Sequence, residues 1–255
     1  MQSFPFCLSQ PEPENHCPDC LYLELEGAAA QTDPETCFEF CLLPNRGQQT
    51  ELHLTLKFGE QWESLGEGRV KFGLRGGELR LKLENGDIPY ECRELDGYLE
   101  LSLPDGEGGN PDRKTETARD FWENGSHEPQ TESNGGDTQR RISIAEQFHV
   151  TICQVTTRIS GENPAWIFEE EMGEPVLRGS VQKTKLATLE ILALPCRVEA
   201  TFEVAKRDIC LTEAEGVWPP DLSRNKRAVL DRLIIQHLLE PKLEPYLSRA
   251  ELHYD

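Results

Sequence analysis

The chain has 255 residues, 37% of them hydrophobic, and its 46 acidic against 26 basic side chains leave a net charge of −20 at neutral pH. The apolar content is enough for a sizeable core. The charge repels phosphate backbones and anionic bilayers, so nucleic-acid binding and membrane docking are not expected.

In chain order, residues 1–19 are proline-rich with little apolar periodicity and read as an irregular N-terminal arm. The start shows no signal-peptide pattern, and no later run approaches the ~18 apolar residues of a membrane span. A cytoplasmic protein is therefore expected, its nine cysteines mostly free thiols. Residues 20–104 then alternate in period two: Leu21, Leu23 and Leu25; Phe38, Phe40 and Leu42; Leu52, Leu54, Leu56 and Phe58. From Val70 to Leu103, three dipeptides, Gly76-Gly77, Asn85-Gly86 and Asp96-Gly97, have the composition of tight hairpin turns. The spacing predicts a four-stranded meander paired in sequence order, with Leu79, Leu81 and Leu83 inward and Arg80 and Lys82 outward. That makes about seven strands in the first hundred residues, the density of an antiparallel β-sandwich.

Between Asp105 and Arg140 only Ala118, Phe121 and Trp122 are apolar, too little burial to offset the entropy of ordering, so 105–140 reads as a flexible acidic linker. Phe121 and Trp122 are candidates for binding a protein partner. Residues 141–255 read as a second β unit. Its clearest strand alternates Cys196, Val198, Ala200, Phe202 and Val204 with polar residues, after a break at Pro195. A helix follows over about 223–240, with Ser223 as N-cap, Val229, Leu230, Leu233, Ile234, His237 and Leu238 as the buried stripe, and Pro241 as the stop.

Chemistry-bearing motifs are sparse. Cys17 and Cys20, with Cys37 and Cys41, have the residue types of a zinc site. A strand through 37–41 would hold its two thiols about 13 Å apart at ~3.3 Å per residue, so no metal is expected. No nucleophile elbow, phosphate loop or zinc-protease motif is present, and His53, on the polar side of its strand, reads as solvated. Arg224, Lys226 and Arg227 crowd the first turn of the helix, where the macrodipole favours acids. They are candidates for binding an anion or a partner, with pairing to the chain's own acids as the competing reading.

The expected protein is mainly β: antiparallel sandwich-like units with a C-terminal helix packed on one sheet. The expected function is a non-catalytic intracellular interaction or scaffold module with an unidentified protein partner and no cofactor. The alternative is a hydrolase or small-ligand-binding protein with a pocket between the two β units.

Overall fold

The computed structural model of the chain describes residues 13–30, 48–103, 151–158, 163–219 and 221–255. The expected strand at 38–42, the linker 105–140 with Phe121 and Trp122, and residues 141–150 lie outside the described residues. The strands are β1 (Glu14–Asn15), β2 (Leu21–Ala29), β3 (Gln48–Phe58), β4 (Glu60–Leu65), β5 (Gly68–Leu74), β6 (Gly76–Glu84) and β7 (Gly86–Asp87). They continue as β8 (Gly97–Leu101), β9 (Thr151–Arg158), β10 (Ala165–Glu170), β11 (Gly179–Ile191), β12 (Cys196–Glu203), β13 (Ile209–Glu215) and β14 (Ser248–Tyr254). The arm therefore ends in order: Glu14 and Asn15 pair with Arg249 and Ser248, and Cys17 and Cys20 are buried.

All pairing between these strands is antiparallel, in a seven-stranded sheet of order β1-β14-β12-β6-β10-β9-β8, a four-stranded sheet β2-β3-β11-β7 and a three-stranded sheet β13-β5-β4. Each sheet mixes strands from both sides of residue 104, so the two β units share their sheets and one buried cluster. The alternation of each strand supplies that cluster. Leu23, Leu25, Leu52, Leu54 and Leu56 enter from the four-stranded sheet, and Leu79, Leu81, Trp166, Val198 and Ala200 from the seven-stranded one. Phe58, Phe168 and Phe202 join the two faces, with ring centroids 5.9–6.4 Å apart in tilted and edge geometries that favour aromatic contact.

The two sheets also meet at their margins. A Cβ built on Gly27 of β2 would lie 2.0 Å from Oη of Tyr254 on β14, so the glycine leaves room for the Tyr254 ring to lie against β2. At the other margin, Ser102 N–H donates to Ser180 O at 3.0 Å and Ser180 N–H to Ser102 O at 2.9 Å, tying the end of β8 to the start of β11. Two margins that would otherwise template pairing with another chain are thus covered, while β4 and β13 are the outer strands of the three-stranded sheet.

The inward and outward faces of 70–103 follow the alternation, with Leu79 and Leu81 buried and Arg80 and Lys82 exposed. The pairing order does not. β5 belongs to the three-stranded sheet, β6 pairs with β10 and β12, β7 with β11, and β8 with β9. Gly76-Gly77 is no hairpin turn, because neither residue has positive φ. A Cβ at Gly76 would stand 2.2 Å from Phe168 O, and one at Gly77 2.3 Å from Phe202 Cε1. The glycines let β6 pass close to β10 and β12 after the chain turns a corner at Arg75, whose N–H donates to Asp208 O at 2.7 Å. Asn85 and Gly97 do take positive φ, at 59° and 95°, but the bends they make lead to new sheet partners.

The solvent face of the seven-stranded sheet is a ladder of ion pairs. Glu251 accepts from Arg197 at 2.8 Å, from Arg249 and from His253 at 3.2 Å. Burial would raise the Glu251 carboxyl, but these three donors hold it down to about 2. Further along, Glu78 binds Arg158 at 2.7 Å and Arg80 at 3.0 Å.

Candidate docking surface

The C-terminal helix is α1 (Arg224–Ile234), a π-helical turn Ile235–Leu239 and α2 (Glu240–Leu243). Pro241 does not stop it. The i→i+5 pattern, with Glu240 N–H donating to Ile235 O, leads into a final turn with Pro241 near its N-terminus, where a missing N–H costs little. The helix is fastened at its C-terminal half. Leu239 and Leu243 are buried, Ile234, Ile235 and Leu238 pack against the core, Lys242 pairs with Glu63 of β4, and Glu240 with Lys206, just ahead of β13, at 3.5 Å.

The N-terminal half is only partly covered. No residue of α1 is buried, and Val229 and Leu233, which the periodicity placed inside, are 58% and 44% exposed. His237, expected on the same stripe, is exposed too. The inward side carries Asp231 instead. Its Oδ1 is shut off from water with no hydrogen-bond partner among the described residues, and burial pushes its carboxyl up against the opposing pull of Arg227. A carboxylate on the inner side rotates the apolar stripe partly outward.

Arg224, Lys226 and Arg227 come together at the exposed start of this helix. Among the described residues no carboxylate lies within 4 Å of any of them, nor of Arg232 one turn on. The first turn holds no acidic residue, and the Ser223 side chain makes no capping hydrogen bond. The positive end of the helix dipole is thus reinforced by cations, and Asp231, one turn on, is the carboxylate that acts on Arg227. Elsewhere basic side chains are used internally. Arg69 lies 4.2 Å over the Trp62 ring and binds Glu215 at 2.6 Å; Lys71, Arg178 and Thr212 converge on the largely buried Glu60; Lys185 binds Glu51 and Glu94 at 3.0 and 2.7 Å.

The remaining sequence candidates divide as follows. Cys17 and Cys20 are neighbours on one turn, with Cys17 Sγ donating to Gln61 Oε1 at 3.2 Å and Cys20 Sγ to Phe72 O at 3.7 Å. The hydrogen bond to Cys17 and burial both push the Cys20 thiol up. Cys37 and Cys41 lie outside the described residues, as do Phe121 and Trp122. His53 sits on the outer face of β3, 3.9 Å from Glu51. The depression at the β4–β5 hairpin tip, between Gly66–Arg69 and Glu215–Gly216, has Arg69 already engaged by Glu215.

The periodicity placed Val229 and Leu233 inside, whereas both are surface residues, and Arg232 beside them was not singled out. The one local signal available was Asp231, an acid within the apolar period. No known protein family, curated protein or solved structure matches the chain.

Proposed function

We propose that the protein is a non-catalytic interaction module: a rigid β-sandwich that presents its C-terminal helix to a protein partner. The observation that carries this reading is the helix itself, a basic surface with exposed Val229 and Leu233 on a chain of net charge −20. Exposed aliphatic side chains ringed by cations are the composition of a docking surface, since the apolar groups supply affinity and the charges supply orientation and rate. The helix is fixed from Ile234 to Leu243, so the outer face of its N-terminal half is held in position without being covered. The closed margins at Gly27–Tyr254 and Ser102–Ser180 favour this surface over strand addition at those two places. The free thiols of Cys17, Cys20, Cys153, Cys196 and Cys210 support a setting in the reducing cytoplasm.

The test is affinity isolation of the full chain from its native cells, followed by reconstitution with purified components. The expected result is at least one protein that binds saturably and in a defined stoichiometry. Failure of every captured protein to bind in purified form would overturn the module reading.

A further inference from the structure

The outward face of α1 shows, in helical sequence, Lys226, Val229, Arg232 and Leu233. Residues three, four and seven apart lie on one face, so Val229 and Leu233 form a short aliphatic ridge with Lys226 above it and Arg232 beside it. All four are exposed, and neither cation has a carboxylate within 4 Å among the described residues. This ridge sits on a chain with 20 more acids than bases, where most ion pairs among the described residues close within a strand or between neighbouring strands. The helix start adds Arg224 and Arg227.

We infer that this face docks an acidic segment of a partner protein, one that carries two or three aliphatic or aromatic side chains spaced one helical turn apart between Asp and Glu. Charge complementarity selects that occupant. A second copy of this chain would bring another −20 of charge to the contact, which opposes association except at the ridge itself. A polyanion such as duplex DNA would find cations but would leave Val229 and Leu233 exposed, and would be repelled by the rest of the surface. Of these occupants, a segment that is both acidic and apolar is the one that meets the cations and covers the ridge together. The inference rests on the interaction-module reading and specifies its partner.

The probe is a fluorescein-labelled peptide of about 16 residues, roughly four helical turns, with Leu and Phe at i, i+3, i+4 and i+7 and Glu or Asp elsewhere. Binding to the full-length protein is followed by anisotropy. Two control peptides exchange the acids for Lys, or the apolar residues for Ser. The expected result is binding by the first peptide alone. It should weaken at least about tenfold in V229D/L233D, as for central apolar anchors, and in R224Q/K226Q/R232Q. The dependence on the cations should fade as salt rises from about 50 to 300 mM, over which the Debye length roughly halves. Both variants change exposed side chains, and an unchanged unfolding midpoint verifies their fold.

Equal binding by the Ser control would show plain anion attraction and overturn the inference. So would tighter binding of duplex DNA, or self-association in sedimentation velocity that V229D/L233D abolishes. Cellular partners retained by V229D/L233D would remove this face as the docking surface while leaving the module reading intact. Absence of any reconstituted partner would sink the module reading instead.

Discussion

The glycine pair at the start of β6 separates two physical accounts of the same residues. If Gly76-Gly77 made a hairpin turn, asparagine would substitute well, since it tolerates positive φ almost as readily. In the structure neither glycine has positive φ, and a Cβ at Gly76 would sit 2.2 Å from Phe168 O and 3.4 Å from Glu169 Cα. The obstacle is backbone, so no rotamer change relieves it. β10 would have to move off β6 by about 1 Å or more to reach ordinary van der Waals contact. That displacement breaks into the register that pairs Glu169 with Gly76 and Phe168 with Gly77, and it disturbs the Phe168–Phe202 contact at 5.9 Å. Overpacking of this kind costs about 1–3 kcal/mol, and the lost aromatic contact adds about 0.5–1 kcal/mol. Gly76→Asn and Gly76→Ala should therefore both lose about 2–4 kcal/mol, a fall in midpoint of roughly 4–16 °C for a chain of this size. Urea and thermal unfolding followed through the buried Trp166 provide the assay. Gly66→Asn is the control, because Gly66 has φ +60° with no atom within 4 Å of an added Cβ. Gly76→Asn within about 0.5 kcal/mol of the parent would refute the close-packing account.

Four further outcomes follow from particular residues. Leu81, fully buried on β6, should cost about 2–5 kcal/mol when changed to Ala. Arg80→Ala, on the solvent face with Glu78 and Glu203, should cost under about 1 kcal/mol; equal effects in urea titration would contradict the face assignment. Glu251 has a folded value near 2 against an ordinary 4.5, so its contribution is present above about pH 4.5 and lost as the pH falls through about 2. The shift alone corresponds to about 3 kcal/mol, discounted to about 1 kcal/mol for screening at the sheet surface. Glu251→Gln should remove that much at pH 7 and flatten the acid limb of the stability curve, whereas an unchanged pH profile would show that the Arg197–Glu251–Arg249 cluster is neutral. Alkylation with peptide mapping should label Cys92 and Cys210 before Cys17, Cys20, Cys153 and Cys196, since the latter four are buried and burial pushes the Cys153 thiol up to about 12. Metal analysis should find no bound zinc; one equivalent, lost in C17S/C20S, would reverse that reading.

The faces of the strands were legible from the sequence, because a period of two is a local property: side chains at 21, 23 and 25 or at 196, 198, 200 and 202 must share a face wherever the strand pairs. Mainly antiparallel β structure and a helix after Ser223 followed from the same local rules. Pairing partners were not legible. Gly76-Gly77 is equally compatible with a hairpin turn and with two strands crossing too closely for a Cβ, and only Phe168 and Phe202, more than ninety residues away, decide between them. That residues 20–104 and 141–255 share sheets was likewise decided by β6 lying between β10 and β12. The helix shows the same division. The basic first turn was evident from Arg224, Lys226 and Arg227, but which side of the stripe met the core was not. The sequence alone determines which residues can share a face; the tertiary structure decides what each face meets, because burial depends on elements distant in the chain that no local period encodes.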